Sequence, residues 1–472
     1  MATTISQIVA VNPATEDVIA SFDAFGTDEV EMALAEAHDA YLEWRLRPIA
    51  ERALPMRALA ALLRERADRY ARLATLEMGK PIAEARAEVE KCAFGCEHFA
   101  QNAARYLADE DIRANARRSI VAFQPLGVVL AVMPWNFPFW QVIRFAAPAL
   151  MAGNSAVLKH ASNVPECALA IEEAFRDAGF PRGLLRAVLV SGSAIEPVIA
   201  DDRIRAVTLT GSSDTGSRIA ELAGRALKKT VLELGGSDPY IVLADADIEA
   251  AATTAVRARN QNNGQSCIAA KRFIVIESVA ADFERRFARG VEDLVVGDPM
   301  DPKTQVGPLA RRDLLDTLER QVEESVRAGA RVLTGGERLS GKGYFFRPTV
   351  LTNVTRDMAV FREEAFGPVA AVVRVGDADE AVRVANDSAY GLGASIWTRD
   401  AASGERLARR IESGSVFVNG MVASDPRLPF GGIKRSGYGR ELSAFGAREF
   451  TNIQTIWIGP AEGPQLTSQP AE

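Results

Sequence analysis

The sequence predicts an α/β protein built from two doubly wound domains, and three observations support this prediction. Strand-like and helix-like segments alternate along the chain from residue 126 to residue 234, and a second alternation covers residues 240–397. Strands of the first series, such as residues 127–133, are almost continuously apolar, as parallel strands buried on both faces are. The chain of 472 residues has room for about three ordinary domains or two large ones. Such alternation implies parallel sheets with right-handed crossovers.

The first series follows a helical region. Residues 28–107 are rich in Ala, Glu, Arg and Leu, and their apolar residues recur at helical spacing. Pro165 stands near the start of one predicted helix, as is common. In chain order, strands are predicted at residues 127–133, 155–158, 184–190, 206–210 and 230–234, with helices at residues 139–152, 165–178 and 217–225. We assign residues 1–108 and 126–233 to a first, cofactor-binding domain.

The second series repeats this design, and we assign it to a catalytic domain, residues 234–447. The predicted strands and helices alternate as in the first series. The strands are placed at residues 240–243 and 272–276, around Val332, and at residues 369–373 and 394–397, and the helices at residues 247–259, up to about 294, and at 310–328.

Two segments outside both series, residues 117–124 and 451–458, alternate polar and apolar residues as half-buried or edge strands do. Such strands could pair with each other or extend the sheet of a partner subunit. We therefore assign residues 109–125 and 448–459 to a separate oligomerisation element made of β-strands. Residues 460–472 are rich in Pro, Gln and Glu and are predicted to be disordered.

The composition excludes several classes of function. The net charge is −7, from 55 basic and 62 acidic residues, which argues against a nucleic-acid partner. The apolar stretches are far shorter than the roughly 20 residues of a membrane helix, so no membrane role is expected. Four cysteines and three histidines form no metal-binding motif, and we expect no metal site. The few cysteines, together with an N-terminus unlike a secretory signal, predict a cytoplasmic protein.

Two segments that follow predicted strands contain groups suited to binding a charged ligand. Residues 210–216, Thr-Gly-Ser-Ser-Asp-Thr-Gly, lead from a strand into a helix, and free N–H groups at a helix start bind phosphate. An ordinary capped helix is the alternative interpretation. Residues 133–138, Met-Pro-Trp-Asn-Phe-Pro, hold Asn136 between two prolines, and a rigid amide can stabilise an oxyanion. A proline-rich turn with Asn136 as a local cap is the alternative.

One carboxylate and one thiol are further candidates. Glu233 lies near the end of an apolar strand, so partial burial should raise its pKa toward that of a general base. A sheet-end Glu paired with a Lys is the alternative interpretation. Cys267 ends the segment Asn-Gly-Gln-Ser-Cys, where a loop or helix end could expose its sulfur as a nucleophile. A single cysteine in a large enzyme is, however, usually inert.

Together, these segments and others form an ordered set of motifs that resembles the aldehyde dehydrogenase superfamily. The order and spacing agree over almost the whole chain, to about Ile458. The motifs are Pro134-Trp135-Asn136-Phe137-Pro138, Leu158-Lys159, Gly211-Ser212 with Gly216, Leu232-Glu233-Leu234-Gly235-Gly236, Gly264-Gln265-Ser266-Cys267, Glu363-Glu364-Ala365-Phe366-Gly367-Pro368 and Pro429-Phe430-Gly431-Gly432.

The resemblance implies a role for each matching residue. Cys267 would attack the aldehyde, Asn136 and the backbone N–H of Cys267 would bind the oxyanion, and Glu233 would activate the hydrolytic water. The CoA-acylating members of the superfamily typically lack this Glu, so its presence favours a free acid as product. Cofactor-binding roles are implied for Trp135, Lys159, Ser162, Gly211, Ser212, Gly216, Leu234, Glu364 and Phe366.

The residue three positions after Lys159 bears on the choice of cofactor. In strongly NAD-preferring relatives a Glu stands there and would repel a 2′-phosphate. Here the position is Ser162, whose hydroxyl does not repel a phosphate and can donate to it. The resemblance therefore implies that NADP is accepted, and even preferred, with NAD also used.

Within the superfamily, residues 234–239, 361–364, 419–425 and 449–455 most resemble the short bacterial succinate-semialdehyde dehydrogenases. Arg144 stands eight residues after Asn136, where such enzymes place an Arg that binds the substrate carboxylate. A surface Arg on a helix is the alternative. Gln261 replaces a second Arg that many of these enzymes carry six residues before the catalytic Cys. Substrate binding would then also depend on Ser424 or Arg427.

The resulting hypothesis is oxidation of succinate semialdehyde, or a similar anionic aldehyde, to the free acid by a homodimer or homotetramer. The alternatives are a broad-specificity aldehyde dehydrogenase, a non-catalytic family member that binds the cofactor, and a thiol hydrolase. No second cysteine lies beside Cys267, so we expect no disulfide switch there.

Overall fold

The computed structural model describes residues 7–459, so the predicted disordered tail, residues 460–472, lies outside the described residues. The helices are α1 (Thr27–Trp44), α2 (Ile49–Glu65), α3 (Ala67–Met78), α4 (Ile82–Tyr106), α5 (Trp140–Met151), α6 (Pro165–Asp177), α7 (Ile195–Ala200), α8 (Ser213–Arg225), α9 (Ile248–Asn260), α10 (Glu277–Glu292), α11 (Arg312–Arg327), α12 (Ala359–Arg362), α13 (Ala378–Asn386), α14 (Ala401–Ala408) and α15 (Ser443–Glu449). The strands are β1 (Gln7–Val11), β2 (Val18–Asp23), β3 (Glu110–Asp111), β4 (Arg118–Pro125), β5 (Val128–Met133), β6 (Ser155–His160), β7 (Leu185–Ala187), β8 (Ile204–Thr210), β9 (Lys229–Glu233), β10 (Asp238–Val242), β11 (Ala270–Ile276), β12 (Arg331–Thr334), β13 (Thr349–Thr352), β14 (Val369–Val375), β15 (Tyr390–Gly391), β16 (Gly393–Trp397), β17 (Ser415–Val418), β18 (Ile433–Lys434), β19 (Gly437–Tyr438) and β20 (Thr451–Ile458).

The first large sheet has six strands in the order β19–β9–β8–β5–β6–β7. Strands β5 to β9 run parallel to their neighbours, and β19 lies antiparallel at the edge beside β9. The chain passes outward from β5 through β6 to β7, and then returns to the other side of β5 to form β8 and β9. The strand order therefore reverses between β5 and β8. Ligands of doubly wound sheets bind outside the carboxyl ends of the strands at such a switch point.

The second large sheet has seven strands in the order β12–β13–β14–β11–β10–β16–β17. All neighbouring pairs are parallel except β12 with β13. Every residue of β10, β11 and β16 is buried, as expected for central strands covered by helices on both faces. Two charged residues of β11, Lys271 and Arg272, are among them, and both donate hydrogen bonds to backbone carbonyls.

The N-terminal helices pack against α5 and α6 in one apolar core that contains the fully buried rings of Trp44, Tyr70 and Phe99. Helix α4 is 25 residues long and lies beside α2, α3 and α5. It places Lys91 and Glu88 close to α5, which follows the Asn136 segment. Within residues 7–459 we find no helix whose length and hydrophobicity would let it cross a bilayer.

A third, small sheet joins segments that are more than 300 residues apart in sequence. Strand β20 pairs antiparallel with β4 over residues 451–458 and 118–125, and β3 lies on the other side of β4. The side chains of Ile453 and Trp457 are 66% and 56% exposed. The β20 edge thus presents apolar side chains to solvent.

The predicted α/β class, with two sheets built largely from parallel strands, is confirmed, and the predicted strands and helices of both series are found with shifted ends. The β1–β2 hairpin and the short strands β13, β17 and β19 were not predicted from the sequence. Strand β19 has only two residues and begins at Gly437, where φ is +104°. A segment this short carries no strand pattern of its own, and it forms a strand only because it pairs with β9, which lies far earlier in the sequence. The proposed domain boundaries stay a prediction.

Candidate active site

The carboxyl ends of β5, β6, β8 and β9 lie at one edge of the first sheet, because parallel neighbours end on the same side. Asn136 follows β5, Lys159 lies near the end of β6, Gly211 follows β8, and Glu233 ends β9. The loop of Cys267, between α9 and β11, approaches this edge from the second sheet. The fold therefore gathers motifs that are far apart in the sequence.

The loop that carries Cys267 has an unusual backbone. Asn262 and Asn263 both have φ of 58°, in the left-handed region that Asn adopts more readily than most residues. The Nδ2 atom of Asn262 donates to the backbone oxygens of Asn136 at 2.8 Å and Gln265 at 2.9 Å. Asn263 is held in the same way by two backbone oxygens, each 2.8 Å from its Nδ2. Side-chain hydrogen bonds therefore fix the strained loop.

Two buried cations hold the other side of this loop. Lys271 Nζ donates to the carbonyl oxygens of Ser266 and Cys267, both at 2.9 Å. The fully buried Arg259 donates to the carbonyl oxygen of Gly264. Burial lowers the pKa of Lys271 and lowers the pKa of Arg259 to about 9. A cation bonded to the carbonyl of the nucleophile's own residue places a positive potential near the sulfur, which favours a thiolate.

The Cys267 thiol is partly exposed and faces a cavity. Burial raises the pKa of this thiol to about 12, while the charges of Arg144 and Lys271 act in the opposite direction. Burial therefore outweighs the two cations, and near neutral pH the thiol form predominates over the thiolate. A proton acceptor is needed when the sulfur attacks a substrate.

The amide of Asn136 is 4% exposed and is fixed in one orientation. Its Oδ1 accepts from Gln141 Nε2 at 3.1 Å, and its Nδ2 donates to the carbonyl oxygen of Gln265 at 3.0 Å. The side chain thus faces the nucleophile's loop and caps no part of α5. The second hydrogen on Nδ2 can be donated to an oxyanion formed beside Cys267.

Glu233 is 2% exposed, and neither of its carboxylate oxygens has a hydrogen-bond partner among residues 7–459. The alternative interpretation, a Glu paired with a Lys, is therefore wrong. Burial raises the pKa of Glu233 well above its usual value, and the nearby Glu441 carboxylate raises it further, whereas Arg144 and Arg440 lower it. A carboxylate with a raised pKa and no bound donor is suited to take a proton.

Glu441 was not singled out from the sequence. It is 3% exposed and forms an ion pair with Arg144, which is equally buried. The Arg144 guanidinium also lies 4.7 Å from the centre of the Phe430 ring and donates to Thr210 Oγ1 at 3.2 Å. Burial raises the pKa of Glu441 as well. The only sequence signal was its place just after the Gly437–Gly439 segment, where β19 pairs with β9.

The groove at the switch point holds residues predicted to bind a cofactor. Lys159 is 9% exposed, burial lowers its pKa, and it has no ion-pair partner within the described part of the chain. Ser162 is exposed, and Ser212 caps α8 with its Oγ accepting from a backbone N–H at 3.3 Å. A side chain at Gly216 would overlap the methyl groups of Leu234, so α8 packs closely against the segment that follows β9. A buried cation without an anion fits a polyhydroxyl or phosphate-bearing ligand.

Glu364 and Phe366 approach the same groove from the second sheet. Glu364 Oε1 accepts from the backbone N–H of Gly236 at 3.0 Å and lies 3.5 Å from Lys271 Nζ. Phe366 packs edge-on against Trp135, with 5.8 Å between ring centroids. Lys271 therefore contacts both the loop of Cys267 and Glu364, the carboxylate that is predicted to bind the cofactor.

A cavity of about 610 Å³ opens beside Cys267. Three of the four residues predicted to bind the substrate line it, namely Arg144, Gln261 and Ser424. The structure does not bring Arg427 to this cavity. Its side chain is 67% exposed and pairs with Asp425 two residues away, so this ion pair within its own loop directs it to solvent.

The cavity also contains residues that the sequence analysis did not name. Lys91 of α4 lines its wall, together with Trp140 and Phe430. No pattern around Lys91 in the sequence marked it, because a lysine on an amphipathic helix is usually a solvated residue. Among the residues that the structure describes, no group of three or more His, Cys, Asp or Glu side chains is placed to hold a metal ion.

Comparison with known proteins gives consistent matches over almost the whole chain. The model of the aldehyde dehydrogenase family matches residues 1–456. The chain is 52% identical to a protein of Synechocystis sp. named "Probable succinate-semialdehyde dehydrogenase (NADP(+))", over 96% of this chain and 99% of that protein. It is also 52% identical to "Succinate-semialdehyde dehydrogenase (NADP(+)) 1" of Mycobacterium tuberculosis, with the same coverage. The crystal structure of succinic semialdehyde dehydrogenase from Streptococcus pyogenes in complex with NADP+ is similar, with a TM-score of 0.94 and 38% identity over 96% of this chain and 100% of that one.

Proposed function

This chain belongs to the aldehyde dehydrogenase family, and we propose that it oxidises succinate semialdehyde to succinate with reduction of NADP. The observation that carries the proposal is a cavity lined by the Cys267 thiol and by the basic side chains of Lys91 and Arg144. Asn136 and Glu233 reach the same edge of the first sheet. The names of the relatives support the choice of substrate and cofactor.

In the first half of the reaction, the Cys267 thiol loses its proton to a water molecule in the cavity, the sulfur forms a bond to the aldehyde carbon, and the carbonyl electron pair moves to oxygen. Asn136 Nδ2 and the backbone N–H of Cys267 donate to this oxyanion, and the Asn136 amide is held in place before the reaction. NADP, when bound, supplies the acceptor for the hydride that leaves the same carbon. Loss of hydride restores the carbonyl and leaves a thioester on the sulfur.

In the second half, Glu233 takes a proton from a water molecule, whose oxygen adds to the thioester carbon. The carbon–sulfur bond then breaks, the acid is released, and the sulfur regains a proton. Burial and the Glu441 charge raise the pKa of Glu233, which makes it a stronger base than an exposed carboxylate. The lack of a hydrogen-bond donor to Glu233 supports this role.

The cofactor groove supports NADP as the preferred cofactor, with NAD as a second one. Lys159 is a buried cation without an anionic partner among residues 7–459, and the exposed Ser162 can donate a hydrogen bond to a 2′-phosphate. No carboxylate stands at position 162 to repel that phosphate. Ser162→Glu is therefore expected to weaken the use of NADP more than the use of NAD, as measured by kcat/KM for the two cofactors.

The proposed substrate is tested by the rate of NADPH formation with succinate semialdehyde and with butanal at matched concentrations. A ratio of kcat/KM of about 100 or more corresponds to roughly 2.7 kcal/mol of transition-state discrimination and supports a site that reads the carboxylate. A dehydrogenase oxidises neither aldehyde without cofactor. Ester hydrolysis without NADP, and no aldehyde oxidation with it, would instead favour the thiol hydrolase.

A broad-specificity aldehyde dehydrogenase is the second candidate, and one observation favours it. Gln261 takes the place of an Arg on the cavity wall, and the Arg144 charge is already balanced by Glu441. A ratio of kcat/KM near one for succinate semialdehyde and butanal would establish this candidate and overturn the proposed substrate.

We further propose that the enzyme is a cytoplasmic homodimer or homotetramer in which the β4–β20 element contacts a partner subunit. The exposed side chains of Ile453 and Trp457 on β20 support such a contact, since apolar groups at a sheet edge favour association. All four cysteines are free thiols, which supports a reducing compartment. Sedimentation of the wild type and of Trp457→Lys would test the assembly.

A further inference from the structure

Lys91 is a cation on the cavity wall that the reaction described above does not use. It lies on α4 and lines the same cavity as Cys267. Its Nζ donates to Ser424 Oγ at 2.7 Å and lies 4.6 Å from the centre of the Trp140 ring. We find no carboxylate in an ion pair with Lys91 anywhere in residues 7–459. Its positive charge therefore lies at the cavity wall without a directly paired carboxylate.

The surroundings of the half-buried Lys91 differ from those of Arg144, a buried cation on the same wall. Arg144 forms an ion pair with the buried Glu441, and the carboxyl group of Glu233 lies near it. A carboxylate that binds at Arg144 must compete with groups that already balance its charge. A carboxylate that binds at Lys91 displaces no such partner. Of these two cations, Lys91 is therefore the one whose charge is not balanced by an ion pair.

Ser424 adds a second donor at the same place. Its Oγ accepts from Lys91 Nζ at 2.7 Å and from Trp140 Nε1 at 3.1 Å, which uses both lone pairs of the hydroxyl. The hydroxyl proton remains to be donated, and no acceptor for it is found among the residues that the structure describes. Ser424 lines the cavity, so this donor and the ammonium group can both bind one carboxylate.

We propose that the Lys91 ammonium group, together with the Ser424 hydroxyl, binds the distal carboxylate of the substrate. This inference rests on the proposed function and names the group that recognises the carboxylate. Arg144 then acts mainly on the Glu233 and Glu441 carboxylates. The Trp140 ring supports the cation from one side, because aromatic faces attract ammonium groups.

The first test compares the wild type with Lys91→Met, which keeps the length of the side chain and removes the charge. We expect kcat/KM for succinate semialdehyde to fall about 30-fold, because a hydrogen bond between charged groups is lost, whereas kcat/KM for butanal should change less than about threefold. Lys91→Arg keeps a charge and should restore at least a third of the wild-type value for succinate semialdehyde. NADP affinity and melting temperature are measured on each variant to confirm that it is folded.

Arg257→Met is a matched control. Arg257 also borders the cavity, but its side chain is exposed to solvent, and its charge is screened by water. We expect its removal to change the preference for succinate semialdehyde over butanal by less than about threefold. An equal loss of preference in Arg257→Met and Lys91→Met would overturn direct pairing of Lys91 with the substrate carboxylate. It would show instead that the overall positive charge of the cavity mouth attracts the anionic substrate.

The second test needs no variant. Burial, and to a lesser degree the Arg144 charge, lowers the pKa of Lys91 to about 8. The charged groups that face it are Glu88 on its own helix, Arg144 on α5 and Asp425 in the late loop, with the Cys92 thiol beside it. An ammonium group loses its charge above its pKa. The ratio of kcat/KM for succinate semialdehyde to that for butanal should therefore fall as the pH rises above about 8.

The titration of Cys267 and Glu233 affects kcat/KM for both substrates, so it cancels in the ratio of the two values. A ratio that stays constant to pH 10 would overturn the inference. So would a wild-type preference for succinate semialdehyde that survives in Lys91→Met. A wild type that lacks any preference would instead overturn the proposed substrate itself, and the inference with it. The two failures are thus told apart by the wild-type measurement alone.

Discussion

The loop of Cys267 and the carboxylate pocket formed by Glu233 and Glu441 are both buried. Most polar groups of the loop are hydrogen-bonded, whereas most of those in the pocket are not. In the loop, Lys271 donates to three carbonyl oxygens and Asn262 to two others. In the pocket, the carboxylate oxygens of Glu233 and Glu441 have no hydrogen-bond donor within residues 7–459, apart from the ion pair of Glu441 with Arg144.

This difference in hydrogen bonding matches two different requirements of the proposed reaction. A nucleophile and its oxyanion donors must be positioned before the reaction, and complete hydrogen bonding provides that rigidity. A general base must gain and lose protons, and an under-solvated carboxylate has the raised pKa that this requires. A buried charge without donors is costly, so the pocket depends mainly on one cation, Arg144, with a smaller contribution from Arg440, whereas the loop has several supports.

The largest expected effect comes from removing the sulfur itself. Cys267→Ala should lower aldehyde oxidation on the order of 10⁴-fold or more, while leaving NADP binding unchanged, because the loop's hydrogen bonds come from other residues. Steady-state NADPH formation and equilibrium NADP titration check this. Turnover above about a tenth of the wild-type rate would contradict the role of the thiol. Cys92→Ala, which changes a fully buried thiol, is the control.

Arg144→Ala should mainly destabilise the protein and should change the preference between substrates only slightly. Removing this cation leaves Glu441 and Glu233 buried without compensation, which costs roughly 3 kcal/mol of folding free energy or more. We expect kcat/KM to fall for succinate semialdehyde and butanal by similar factors. Chemical denaturation and paired kinetics measure the two effects. A loss confined to succinate semialdehyde would instead show that Arg144 itself binds the carboxylate, as the sequence first indicated.

Glu233→Gln should slow the second half of the reaction selectively. We expect a burst of NADPH equal to one thioester per active site, followed by a steady rate about 100-fold below that of the wild type. In the wild type, the steady rate should fall as the pH drops below the raised pKa of Glu233, because the base must be ionised. Stopped-flow absorbance resolves the burst, and its loss would assign Glu233 to the first half.

Lys271→Met should have the smallest effect, since the loop keeps its other supports. The variant lacks the charge that lowers the pKa of Cys267, so less thiolate forms at a given pH. We expect alkylation of Cys267 by iodoacetamide to slow about tenfold, with a similar loss in the burst rate. Mass spectrometry of the Cys267 peptide measures the alkylation. An unchanged rate would mean that Lys271 only holds the backbone.

Comparing these variants would show whether the two regions are as different as their hydrogen bonding suggests. Greater destabilisation by Arg144→Ala than by Lys271→Met would support a pocket that depends on one cation. Equal destabilisation would mean that the loop is no better supported than the pocket.

The sequence alone predicted the α/β class and the positions of the catalytic candidates, because these depend on local pattern. Apolar strands, helix starts and the motif around Cys267 are each contained in short segments. The raised pKa expected for Glu233 followed from its place in an apolar strand. In the structure the pKa of Glu233 is also raised, and burial is the main cause.

The tertiary structure decided which charges meet across those segments. Glu441 reaches Glu233 because the two-residue strand β19 pairs with β9, and Arg427 stays away from the cavity because it pairs with its own neighbour. Lys91 and Ser424, 333 residues apart, share a hydrogen bond on the cavity wall. The physical reason is that strands and caps form from neighbouring residues, whereas the desolvation and pairing of a charge depend on whatever the fold packs against it.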